Sequence, residues 1–153
     1  METAELAAVV HRELLRRGAT ASCAESLTGG ALADLLSGTP GASATFVGGV
    51  VTYATRVKRT LLGVTADQVV SADCAAQMAS GVRTLMDSDW ALSTTGVAGP
   101  DTQDDQPVGT VFVGIAGPGD VQVRQLALAG DRARIRSLAS GEALQALLEE
   151  LGR

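Results

Sequence analysis

Five short runs of apolar and β-branched residues alternate with stretches of helical spacing. This order constrains the fold more than any other feature. The spacing predicts strands over 19–23, 45–53, 89–95, 108–116 and 121–128. It predicts helices over 3–17, 28–37, 55–62, 71–86 and 131–151. Leu6, Val10 and Leu14 recur at i+4 steps in the first helix, and Leu144, Leu147, Leu148 and Leu151 form the apolar stripe of the last. Strands separated by helices must run parallel, because a crossover returns the chain to the same edge of the sheet. Gly117-Pro118-Gly119-Asp120 reads as a hairpin turn, which introduces one antiparallel strand. The expected fold is therefore α/β: a three-layer α/β/α sandwich with a mixed, mainly parallel five-stranded sheet. Gly48-Gly49 inside the second strand marks a bulge or a close approach. No linker or repeat divides the chain, so residues 1–153 read as one domain.

The net charge of −5 would repel nucleic-acid phosphates and anionic lipid, so neither is an expected partner. A small phosphorylated ligand in a local cationic pocket is compatible with it. No apolar run approaches the roughly 20 residues that span a bilayer. The opening METAELAAVVHRELL is amphipathic and starts with acids, unlike a secretory signal. Cys23 and Cys74 lack metal-ligand spacing and read as buried hydrophobes in a reducing, cytoplasmic setting. No metal or cofactor is implied.

Ligands of open α/β sheets bind beyond the carboxyl ends of the parallel strands. Polar clusters follow four such ends: Glu25-Ser26-Leu27-Thr28-Gly29-Gly30, Thr52-Tyr53 with Lys58 behind it, Thr94-Thr95-Gly96, and Gly130-Asp131-Arg132. Ser26 has two readings. As a helix N-cap its hydroxyl would accept a backbone N–H, a task Thr28 could equally perform. As a nucleophile it would sit on a tight strand-to-helix turn. In that case Gly29-Gly30 admits a substrate to the backbone, and N–H groups near Thr28, Gly29 and Gly30 hold an oxyanion or phosphate. Lys58 is either a solvated helix charge or, if burial lowers its pKa, a base for Ser26, with Glu25 as the alternative base. Tyr53, the only tyrosine, either stacks a flat ring or relays a proton, or is an ordinary strand-end residue. Arg132 either clamps a phosphate or pairs with Asp131. Thr95 and Gly96 either offer a hydroxyl and bare backbone to a ligand or belong to a glycine-rich loop. His11, the only histidine, lies on the first helix, so a Ser-His-Asp triad is not expected.

AESLTGG, TPGAS followed by F, GGVVTYAT and a K..LLGV run, then TTGVAGP, QPVGTV and GDR..IR occur in this order. Together, from about Leu6 to Leu151, they resemble the CinA C-terminal domain family, which is similar to nicotinamide mononucleotide (NMN) amidohydrolase. The resemblance implies an α/β/α fold and conversion of NMN to nicotinate mononucleotide and ammonia. It also implies a catalytic serine at Ser26, lysine at Lys58 and tyrosine at Tyr53, with Thr95 and Arg132 binding the substrate. A homodimer is expected. The chain departs from the usual family pattern in two places. TYATRVK replaces a TYSNEAK-like stretch, and the acidic DTQDDQ replaces a lysine-bearing, glycine-rich one. Two alternatives therefore stay open: a nucleotide-binding module without turnover, and an amidase for another carboxamide.

Overall fold

In the computed structural model, which describes residues 1–153, helix α1 (Thr3–Arg17) buries Leu6, Val10 and Leu14 on one face. It ends at Gly18, whose φ of 63° is the left-handed conformation that glycine adopts without steric cost. The chain then enters β1 (Ala21–Glu25), every residue of which is buried. Helix α2 (Ala31–Ser37) and a 3-10 turn (Ala42–Ala44) lead to β2 (Phe46–Val51). Helices α3 (Thr55–Leu62) and α4 (Ala72–Met86) lead to β3 (Trp90–Gly96). The hairpin β4 (Thr110–Ala116) and β5 (Val121–Ala127) precedes the long α5 (Arg132–Leu151).

The sheet order is β2-β1-β3-β4-β5. β1 pairs in parallel with β2 and β3, and β4 is antiparallel to both its neighbours. Four strands thus share one direction, as the element order predicts. Helices α1, α2 and α5 close one face over Cys23, Leu92, Val113 and Ile115. Helices α3 and α4 close the other over Ala24, Ala91 and Ala116. Cys23 and Cys74 are free and buried, one in each layer, and burial pushes the Cys74 thiol up to about 11. No helix is long and apolar enough to cross a membrane.

Four elements differ from expectation by two residues or more, among them β2, which ends at Val51 rather than residue 53. β1 runs two residues later, through Ala24 and Glu25, which pair with Val50 and Val51 on one side and Ser93 and Thr94 on the other. α2 starts at Ala31 rather than residue 28, because Gly29 and Gly30 have φ of 60° and 108° and cannot join a right-handed helix. β4 starts at Thr110, since Pro107 lacks an N–H and Gly109 turns the chain at φ 92°. The Gly48-Gly49 expectation holds in both senses. Ala21 pairs with Phe46 but Ser22 pairs with Gly48, which leaves Val47 as an extra residue in β2. At Gly49 a methyl group would lie 2.7 Å from Cys23 Sγ.

Candidate active site

Ser26 is the first residue beyond β1, and its N–H donates to Thr94 O on β3 at 3.0 Å. Its hydroxyl points to Lys58 of α3, whose Nζ lies 2.9 Å from Ser26 Oγ. Lys58 is 1% exposed, so it is not a solvated helix charge. Its Nζ also donates to Thr52 O at 2.7 Å and Tyr53 O at 2.9 Å. Burial holds its pKa below the usual lysine value, and the nearby Cys74 and Asp104 pull weakly the other way. The two carbonyls have a chemical consequence. A neutral amine has two N–H bonds and one lone pair. With both N–H groups donated to Thr52 and Tyr53, the lone pair faces the Ser26 hydroxyl.

Ser26 is not a helix cap. α2 begins five residues later at Ala31, with Gly30 as its N-cap and no hydroxyl cap, and Thr28 does not cap it either. Glu25 does that work: its buried carboxylate accepts from Leu32 N at 2.8 Å and Ala33 N at 3.0 Å. The negative end of Glu25 thereby meets the positive end of α2.

A cleft of about 330 Å³ opens beside Ser26, walled by Tyr53, Thr95, Gly96, Asp101 and Arg132 among others. Arg132, the first residue of α5, bridges the rim. Its Nη1 donates to Gly99 O at 2.7 Å and its Nη2 to Tyr53 Oη at 2.8 Å. Asp131 is occupied as the α5 cap, accepting from Arg134 N, so Arg132 is not its partner. Tyr53 is 57% exposed and its ring is free to meet a ligand.

The remaining expected ligand contacts fare differently. Gly29 and Gly30 do not line the cleft, and Thr28 adjoins it only through its backbone N–H, next to the cleft residue Leu27 and without an acceptor in the chain. The Thr28 hydroxyl is buried against Thr94 Oγ1 at 2.8 Å, and the Gly29 N–H donates to Ser26 O at 3.1 Å. Thr95 reaches the wall, but its hydroxyl donates to Val69 O at 2.6 Å. Gly96 is glycine for packing, since a methyl there would lie 2.7 Å from Thr110 O. His11 is remote from the cleft and bonds Thr45 Oγ1 at 2.7 Å.

Glu25, the alternative base, is occupied at the start of α2 as just described. Two residues without a role in the sequence reading, Asp104 and Arg136, also shape the site. Asp104 anchors the loop after β3 by accepting from Val69 N and Val70 N at 2.9 and 3.0 Å. Arg136 donates from Nε to Leu27 O at 2.9 Å, against the serine turn. The GDR..IR spacing carried a signal for Arg136, because residues 132 and 136 share one face of a helix.

Fold and cleft together define a class: an α/β/α domain with a serine–lysine pair at the carboxyl edge of its sheet. Within that class, the chain belongs to the CinA C-terminal domain family, whose model matches residues 3–151. It is 50% identical over 144 residues to a CinA-like protein of Frankia casuarinae, covering 91% of this chain and 33% of that protein. It is 45% identical over 155 residues to a CinA-like protein of Thermosynechococcus vestitus, covering 95% and 37%. The chain thus spans about a third of the length of the curated relatives it matches. Its fold superposes on the crystal structure of competence damage-inducible protein A from Klebsiella pneumoniae with a TM-score of 0.96 at 36% identity, covering 100% of this chain and 99% of that one. The corresponding values for a competence/damage inducible protein from Agrobacterium tumefaciens are 0.93 and 32%, covering 100% and 97%.

Proposed function

We propose that the protein is a serine amidohydrolase acting on a nicotinamide-type carboxamide, with NMN as its first candidate substrate. The observation that carries this reading is the buried Lys58 amine held at 2.9 Å from Ser26 Oγ. In the proposed step, Lys58 Nζ takes the hydroxyl proton while Ser26 Oγ attacks the carboxamide carbon. The oxyanion lies against the backbone N–H groups of Leu27 and Thr28, from which no carbonyl of the chain accepts. Collapse of the intermediate breaks the C–N bond, and the Lys58 ammonium returns its proton to the leaving amide nitrogen, giving ammonia. A water, deprotonated by Lys58, then attacks the acyl-enzyme; the C–Oγ bond breaks, Lys58 returns the proton to Ser26 Oγ, and the acid leaves as its carboxylate. Tyr53 presents a ring for the pyridinium to stack on, and Arg132 supplies a cation at the rim for a phosphate.

One observation favours a second reading, an amidase for a carboxamide without phosphate. Arg132 already donates to Gly99 and Tyr53, and Asp101 stands on the same wall. Ammonia release from NMN, nicotinamide riboside and nicotinamide separates the readings. Turnover of NMN above the other two supports the first. Turnover of the riboside alone supports the second. Binding without ammonia from any of them defeats both and leaves a nucleotide-binding module.

A further inference from the structure

The turn that carries Ser26 is held by its carbonyls, leaving two N–H groups free. Gly29 N–H closes it onto Ser26 O at 3.1 Å, and Ala31 N–H donates to Thr28 O at 3.0 Å. The remaining carbonyl, Leu27 O, accepts from Arg136 Nε at 2.9 Å, and Arg136 Nη2 approaches Thr28 O at 3.4 Å. In a planar trans peptide the C=O and the following N–H point in opposite directions. Fixing Ser26 O therefore aims the Leu27 N–H the other way, and fixing Leu27 O does the same for the Thr28 N–H. Leu27 and Thr28 are 3% and 0% exposed, yet no carbonyl accepts from either N–H. Buried backbone donors are rarely left without an acceptor. Two in succession on a turn form a concavity suited to an anionic oxygen.

We infer that Arg136 is a positioning residue for the reaction: by gripping Leu27 O from α5, it orients the Leu27–Thr28 peptide so that its N–H meets the oxyanion formed on Ser26. This rests on the serine amidohydrolase reading. Arg136 never touches the substrate, and it does not line the cleft. Gly29 fits the same device. A methyl group there would lie 2.7 Å from Arg136 Nη2, so a side chain would push the guanidinium off its carbonyl.

The test compares wild type, Arg136→Gln and Arg136→Lys by two readouts, with circular dichroism as the folding check. One is the rate at which a fluorophosphonate probe labels Ser26, which needs nucleophile and oxyanion site but no nucleotide recognition. The other is kcat and KM for ammonia release. Displacing a catalytic group by an ångström costs about a hundredfold. Arg136→Gln is accordingly expected to label, and to turn over, roughly a hundredfold more slowly, with KM and the pH midpoint unchanged. Arg136→Lys keeps a donor and the charge and should recover part of the rate; if Arg136→Gln does not fold, a folded Arg136→Lys with reduced labelling carries the result. Wild-type labelling rates in both folded variants would overturn the inference, as would a rise in KM alone or a shift of the pH midpoint. Labelling of wild-type Ser26 without ammonia release overturns the amidase reading but leaves the role of Arg136 standing on the labelling rates. No labelling of wild type overturns both.

Discussion

Lys58 Nζ and Ser26 Oγ lie 2.9 Å apart, the lysine buried and its other two hydrogen-bond directions taken by Thr52 O and Tyr53 O. As the active base is the neutral amine, turnover should rise with pH through a midpoint below the ordinary lysine value, since burial lowers the Lys58 pKa. Lys58→Arg, which cannot give up its proton, and Lys58→Met should each lose roughly a thousandfold in kcat. Rate profiles over a pH series check this, and a folded Lys58→Arg protein with normal turnover would exclude the pair.

The same shift predicts a stability effect of defined sign. Between the lowered value and the ordinary one, the unfolded chain holds a proton on Lys58 that the folded protein does not. Stability against urea should therefore rise with pH across that window, while below it the full cost of the buried charge is present. Lys58→Met should flatten the rise. An equal slope in both proteins would place the titration on another group.

Ser26→Ala should abolish ammonia release yet cost only about 1 kcal/mol of stability, the worth of one hydrogen bond. Lys58 keeps both carbonyl partners in that variant. Urea denaturation beside the activity assay measures the two effects. Retained turnover would remove Ser26 from the chemistry.

Glu25→Gln replaces one of two acceptor oxygens by an NH2 group that faces the N–H of Leu32 or Ala33. A loss of about 1–3 kcal/mol should follow from the unsatisfied buried donor. The pH midpoint of the remaining activity should match wild type, because both Glu25 oxygens serve α2 and neither reaches Ser26. A moved midpoint would make Glu25 the base after all.

Arg132→Ala removes the bridge between Gly99 O and Tyr53 Oη, so both NMN and nicotinamide riboside should suffer a common loss of kcat/KM. NMN should suffer roughly tenfold more, since only it would lose a phosphate partner as well. Steady-state kinetics on the two substrates decide the matter, and equal damage would confine Arg132 to holding the rim.

The layers, the strand directions and the Ser26–Lys58 juxtaposition were legible because each has a local pattern: alternating periodicities, and polar clusters where apolar strands stop. The partners of the hydroxyls were not. Thr95 bonds a carbonyl 26 residues away and Thr28 a hydroxyl 66 away, and no local spacing encodes either contact. In sequence Glu25 belongs to the turn, since acids are unfavourable in strands. The N–H groups at the start of α2, seven and eight residues on, override that preference. Arg136 lay within a recognised motif, but its partner is Leu27 O, a backbone atom that any residue would supply.

The extra residue in β2 bears on how this chain can vary. Val47 is exposed and pairs with nothing opposite it on β1, so its side chain is open to replacement. Downstream of it, Val51 sits beside Glu25, Thr52 N–H donates to Glu25 O, and the carbonyls of Thr52 and Tyr53 hold the lysine. Deleting Val47 would remove the bulge and set Phe46 directly before Gly48, so Ser22 to Glu25 could keep Gly48 to Val51 as partners. The change would fall upstream, where Phe46, now packed against the core, would turn to the opposite face. The spare residue thus separates the start of this strand from the stretch that holds the lysine, and the one can drift without moving the other.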